Sequence, residues 1–149
     1  MQAVNTLNSP QCELLLLRAC VGVSRLYFAM RTSPPSMFDE AQLVFDGELR
    51  VSLEKVITAG GPGFGPYQWR LATLPMRMGG LGIYNAYDGM QYAFVASRLQ
   101  TSELQAQILH GADIYTVGAA MENAVEKFKA LCGYDALSLN SEQLAPLIL

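Results

Sequence analysis

The stretch SMFDEAQLVFDGELRVSLEKVIT, Ser36 to Thr58, decides the fold class. Within it Phe38, Ala41, Phe45, Leu49, Leu53 and Val56 recur at spacings of three and four residues. Residues so spaced share one face of an α-helix, and the stripe predicts a helix of roughly five to six turns. Asp39, Asp46, Glu48, Arg50 and Lys55 fall elsewhere on its surface. Ser36 followed by Asp39 resembles a capping box, with Asp in place of the usual Glu or Gln. Just upstream, Pro34-Pro35 blocks any earlier helix from running through, because neither residue donates a helical hydrogen bond.

Working outward toward the N-terminus, Ser9-Pro10 is a helix-start signal: Ser can cap free N–H groups, and proline is tolerated at the first helical position. Gln11 to Val21 is apolar nearly all round, which predicts a central, buried helix. Gly22 is expected to end it in a left-handed conformation, and Ser24 to cap a short helix through Met30.

Toward the C-terminus, Ala59 to Pro66 reads AGGPGFGP, a break that neither helix nor strand tolerates. Tyr67 to Thr73 predicts a short helix, and Met78-Gly79-Gly80-Leu81-Gly82-Ile83 a second glycine-rich turn. Ala86 to Leu99 reads as helix despite Gly89, followed by a helical segment over Glu103–Leu109 and a break at Gly111. A further amphipathic helix places Val117, Met121, Ala124, Val125, Phe128 and Leu131 on one side, opposite Glu122, Asn123, Glu126 and Lys129. Gly133 is placed to stop it. From Asp135 onward the pattern is ambiguous, with one or two final turns at Ser141 to Leu149. No strand alternation and no internal repeat interrupts this pattern. The expectation is an all-α protein, an irregular helical bundle with two Gly-rich central loops.

Composition agrees with a single packed core. Of 149 residues, 51% are hydrophobic and 15% charged, which excludes a disordered tail. The longest apolar stretch, Leu14 to Met30, carries Arg18 and Arg25, charges that a membrane-spanning helix would bury at high cost. No charged segment precedes an apolar one as in a signal peptide, and the expectation is a soluble, intracellular protein with no membrane association. Cys12, Cys20 and Cys132 form no CxxC pair, so three reduced, mostly buried thiols are expected.

The net charge of −3 argues against a stand-alone nucleic-acid binder, which normally carries a basic face, but it is unevenly spread. Residues 59–100 hold Arg70, Arg77 and Arg98 against Asp88 alone, whereas residues 101–149 hold two lysines against six acids. Any phosphate contact belongs in the middle third.

The candidate chemistry is thin. Two-metal catalysis needs converging carboxylates, and Asp39, Asp46, Asp88, Asp113 and Asp135 are scattered with no adjacent pair. Asp39-Glu40 sits in a first helical turn, where acids favour the helix dipole. His110, the only histidine, has Asp113 three residues on but no marked nucleophile, so a solvated histidine at a helix end is the stronger reading. Neither glycine cluster carries the lysine of a phosphate-binding loop. Gly60, Gly61, Gly63 and Gly65 read as a mobile connector, and Gly79, Gly80 and Gly82 as a tight turn. Trp69, beside Tyr67 and Arg70, suits either a base-stacking platform or, more strongly, a core anchor. No catalytic, metal or cofactor site is predicted.

Two stretches together carry a family resemblance: LLLLRACVGVSRLYFAMRTSPP at Leu14–Pro35 and QWRLATLPMRMGGLGIYNA at Gln68–Ala86. A helical spacer with the pair Phe45-Asp46 separates them, and YAFVASRL follows at Tyr92–Leu99. In this order they resemble the region downstream of the palm in plant-type non-LTR (LINE-type) retrotransposon reverse transcriptases, with the W…LP…GGLGI string the most distinctive piece. The resemblance implies a thumb-like helical region over residues 1–110. Residues 111–149 would be a C-terminal amphipathic helix and tail, within the same domain or appended. It also implies a truncated or degenerate RNA-directed DNA polymerase segment without the catalytic palm, inactive alone. Such a segment would contribute at most weak contacts to an RNA/DNA template–primer duplex, or would join the missing palm or another protein. Arg70, Arg77, Arg98 and Trp69 are the positions that could make those contacts. The alternative, from a different class, is a non-enzymatic helical protein–protein interaction module.

Overall fold

A computed structural model describes residues 1–109 and 118–132. Among the described residues there are six α-helices and no strand: α1 (Pro10–Ala19), α2 (Tyr27–Thr32), α3 (Asp39–Thr58), α4 (Pro66–Thr73), α5 (Ala86–Ile108) and α6 (Ala119–Cys132). Single 3-10 turns occupy Val4–Thr6, Val23–Arg25, Pro35–Met37 and Met76–Met78. The protein is all-α. No described helix is long and apolar enough to cross a membrane.

The chain divides into two compact units. The first comprises Met1–Leu26 and Glu40–Gly89; the second comprises Tyr27–Asp39 and the described residues from Met90 on. Residues 110–117, where the expected thumb-like region gives way to the C-terminal helix and tail, lie outside those described. α6 shares the second unit with most of α5.

In the first unit α3 supplies the centre of the core. Leu49 and Leu53 are fully buried, joined by Leu17 of α1, Phe64, Ala72 of α4 and Ile83, with Phe45, Val56, Trp69 and Leu81 packed around them. Removing each such leucine from water contributes about 1.5–3 kcal/mol. The stripe read from Phe45, Leu49, Leu53 and Val56 is therefore the inward face. Ala41, at its edge, is exposed, and Gln42 is buried instead.

In the second unit Phe94 and Val95 of α5 meet Ala124, Val125 and Phe128 of α6, with Tyr92, Leu99 and Met121 beside them. Tyr92 and Phe128 stack at a tilt, ring centroids 5.8 Å apart. Burial, and secondarily the neighbouring Tyr27, raises the Tyr92 phenol above its ordinary value of 10.0. The ring therefore packs in its neutral form throughout the physiological range. The apolar side expected for α6 faces inward at Ala124, Val125 and Phe128, while Leu131 is 42% exposed. Val117 and Gly133 lie outside the described residues.

Several local expectations are corrected. α1 is not buried all round: Leu17 and Glu13 are buried, but Leu15 is 58% exposed. With only 10 residues on the surface of its unit, it presents one stripe to the core and the rest to solvent. Cys12 and Cys20 follow from this, being exposed rather than buried thiols. Ser9 occupies the N-cap of α1 but its side chain caps nothing. Instead the Ser9 N–H donates to Glu13 Oε1 at 3.3 Å, which explains the buried acid.

Gly22 is extended, at φ −78° and ψ −162°, rather than left-handed. Its glycine is required by crowding, since a Cβ would collide with the Leu17 carbonyl oxygen. Ser24 lies within a 3-10 turn, its hydroxyl donating to the Ala19 carbonyl at 3.4 Å, and α2 starts only at Tyr27. The two segments predicted over Ala86–Leu99 and Glu103–Leu109 are one helix. Thr101 and Ser102 turn their hydroxyls back to the Ser97 and Leu99 carbonyls, at 2.8 and 2.9 Å, and so fit inside it. The break at Gly111 lies outside the described residues.

Candidate functional site

The Gln68–Ala86 string is the most distinctive part of the sequence, and its local structure explains nearly all of its unusual residues. Gly65 precedes α4, and its N–H donates to Gln68 Oε1 at 3.0 Å, the reciprocal half of a capping box. Pro66 opens the helix at a position where a missing N–H costs little. Trp69 is half-buried against the first core, its ring edge-on to Phe64 with centroids 6.5 Å apart. The core-anchor reading of Trp69 is the one this packing supports. Phe64 is itself buried, so the preceding glycine connector is pinned to the core just before α4 begins.

After α4 the chain passes through Leu74-Pro75, makes the 3-10 turn Met76–Met78 and folds back on itself. The Leu81 N–H donates to the Ala72 carbonyl at 3.1 Å, and the Gly82 N–H to the Leu74 carbonyl at 3.0 Å. Gly79 and Gly82 adopt left-handed conformations, at φ +82° and +65°, which disfavour other residues. Gly80 has a different reason: a Cβ there would strike the Leu74 carbonyl and side chain. Gly80→Ala is expected to destabilise the protein by about 1–3 kcal/mol through overpacking, measured by urea denaturation of both forms. An unchanged midpoint would show that this close approach does not form in solution. Leu81 and Ile83 then return the chain to the core.

The two arginines of the string face outward. Arg70, on the last turn of α4, and Arg77, within the 3-10 turn, are both exposed. Tyr67, Met76 and Met78 are 71%, 61% and 64% exposed beside them. A third arginine reaches the Met76–Met78 turn. Arg18, from α1, directs its Nη1 to Met76 Sδ at 2.7 Å, next in sequence to Arg77. Sequence reasoning treated Arg18 only as an interruption of an apolar stretch, because nothing local links it to a turn 58 residues away. Arg98 belongs to the second unit. Its guanidinium lies over the Phe94 ring, 5.4 Å from the centroid, and donates to Gln105 Oε1 at 3.4 Å.

The described aspartates occupy structural positions. Asp39 and Asp88 are exposed at the starts of α3 and α5, where a carboxylate complements the helix dipole. Asp46 is half-buried and fully engaged. Its Oδ1 accepts the Ala86 N–H at 2.6 Å, and its Oδ2 accepts the Tyr87 N–H at 3.1 Å and Gln42 Nε2 at 2.7 Å. Asn85 Oδ1 accepts the Asp88 N–H at 2.9 Å. The first three N–H groups of α5, which no helical carbonyl can reach, thus find partners through one distant and one local side chain. Among the described residues no three His, Cys, Asp or Glu side chains gather where they could hold a metal ion. His110, Asp113 and Asp135 lie outside the described residues.

Comparison of the chain with protein families, with curated proteins and with solved structures finds no match.

Proposed function

We propose that this chain is a non-catalytic, thumb-like helical segment of reverse-transcriptase type, whose first unit touches the phosphate backbone of a template–primer duplex. The observation that carries the reading is the convergence of Arg18 on the Met76–Met78 turn, beside exposed Arg77 and following exposed Arg70. Exposed arginines can position a duplex by its phosphates without reading its sequence. The order of sequence motifs supports the same assignment. Chemistry would be supplied by a palm elsewhere, since Asp46, the half-buried aspartate of this unit, is committed to capping α5.

Three arginine–phosphate contacts imply a slope of log K against log salt of roughly −2 to −3. The test is a fluorescence-anisotropy titration of an RNA/DNA duplex at several salt concentrations. Changing Arg18, Arg70 and Arg77 together to alanine is expected to remove most of that slope, about one unit for each arginine. Duplex binding that is absent at low salt, or unaltered in the triple variant, contradicts the proposal. A second reading, a protein–protein interaction module, draws its support from the outward side of α3, where Leu43, Val44 and Val51 are 68%, 65% and 50% exposed.

A further inference from the structure

Ser36 is followed by Asp39 and Glu40, a spacing that resembles a capping box in the sequence. In the fold that motif has no capping role. α3 begins at Asp39, whereas Ser36 lies earlier, inside the 3-10 turn Pro35–Met37. Its side chain is exposed, and among the described residues its hydroxyl makes no hydrogen bond. Asp39 and Glu40 are exposed as well.

A free hydroxyl with a carboxylate three residues beyond it has the charge pattern of a substrate for an acidophilic serine kinase, whose basic groove discriminates by charge. The pattern occurs once. Among all serines and threonines of the chain, Ser36 alone has Asp or Glu three residues on. The backbone is also close to the extended form that a kinase groove takes. Pro34, just before the turn, is already extended at φ −56° and ψ 137°. Pro35 is buried, but two backbone hydrogen bonds close the turn, from the Met37 N–H to the Pro34 carbonyl at 3.0 Å and from the Phe38 N–H to the Pro35 carbonyl at 2.9 Å. Opening so short a turn is a local event that leaves both cores intact.

We propose that Ser36 is a phosphorylation site for an acidophilic serine kinase, with Asp39 and Glu40 as the residues that select it. Ser36 Oγ attacks the γ-phosphorus of ATP, and the new O–P bond forms as the bond to the β,γ-bridging oxygen breaks. ADP leaves, and the hydroxyl proton passes to the kinase's catalytic carboxylate. Phosphoserine adds about −1.5 to −2 charge to a chain already at −3. The proposal is independent of duplex binding, because it uses none of Arg18, Arg70 and Arg77.

The test is incubation of the full chain with casein kinase II and magnesium ATP, followed by intact mass and peptide mapping. One phosphate per chain is expected, located at Ser36, and none in Ser36→Ala. Asp39→Asn should lower kcat/KM for phosphorylation at least about tenfold, because it removes the charge that the kinase selects. Asp39→Glu keeps that charge and should keep the rate. No incorporation into the parent chain overturns the proposal. So does phosphate carried on a residue other than Ser36, or an Asp39→Asn variant phosphorylated as fast as the parent.

Discussion

Asp46→Ala is expected to destabilise the protein by about 2–4 kcal/mol. The substitution removes both acceptors of the Ala86 and Tyr87 N–H groups and strands the buried amide of Gln42. A capping side chain typically contributes about 1 kcal/mol, and hydrogen bonds to a charged acceptor about 1.5–3 kcal/mol each. The sum is discounted because Asp46 is only half-buried and water can reach part of the vacated site. Asp46→Asn retains one oxygen acceptor and should lose less. Chemical denaturation of the three forms gives the ranking directly. If both variants unfold at the midpoint of the parent protein, Asp46 does not hold the start of α5.

Phe94→Ala is expected to cost about 3–5 kcal/mol, the loss typical of an aromatic side chain removed from a packed interior. Phe94 is 1% exposed and sits against α6 within the second unit. Because the two units have separate cores, the loss should appear first in amide exchange of α6 and the described part of α5 beyond Met90. Hydrogen exchange read by mass spectrometry distinguishes this from uniform loosening. Equal acceleration of exchange around Leu49 and Leu53 would mean that the units unfold as one.

The sequence was most informative where periodicity was long. Phe45, Leu49, Leu53 and Val56 marked the inward side of α3 correctly, because about three turns of regular spacing have one helical interpretation. Short apolar runs were less informative: Leu14 to Leu17 read as a buried helix, yet Leu15 faces solvent, since composition alone does not say how many neighbours a helix will have. Cys12 and Cys20 were misplaced for the same reason. The glycine turn at Met78–Ile83 was legible because Gly79, Gly80 and Gly82 answer to local backbone geometry.

Long-range polar contacts left no trace in the spacing. Asp46 reaches α5 across 40 residues and Arg18 reaches Met76 across 58. Neither pairing has a periodic signature, so Asp46 read as one surface acid among several and Arg18 did not figure among the candidate contacts. Of those candidates, Arg70 and Arg77 lie exposed in the first unit, Trp69 is packed against its core, and Arg98 is engaged within the second unit.

Duplex binding by the first unit is tested by backbone amide chemical shifts recorded during addition of an RNA/DNA template–primer duplex at low salt. Shifts are expected to concentrate at Arg18, Arg70 and the Met76–Gly82 turn and to fade as salt rises. Shifts absent from that surface, or confined to the outer face of α3, would contradict it.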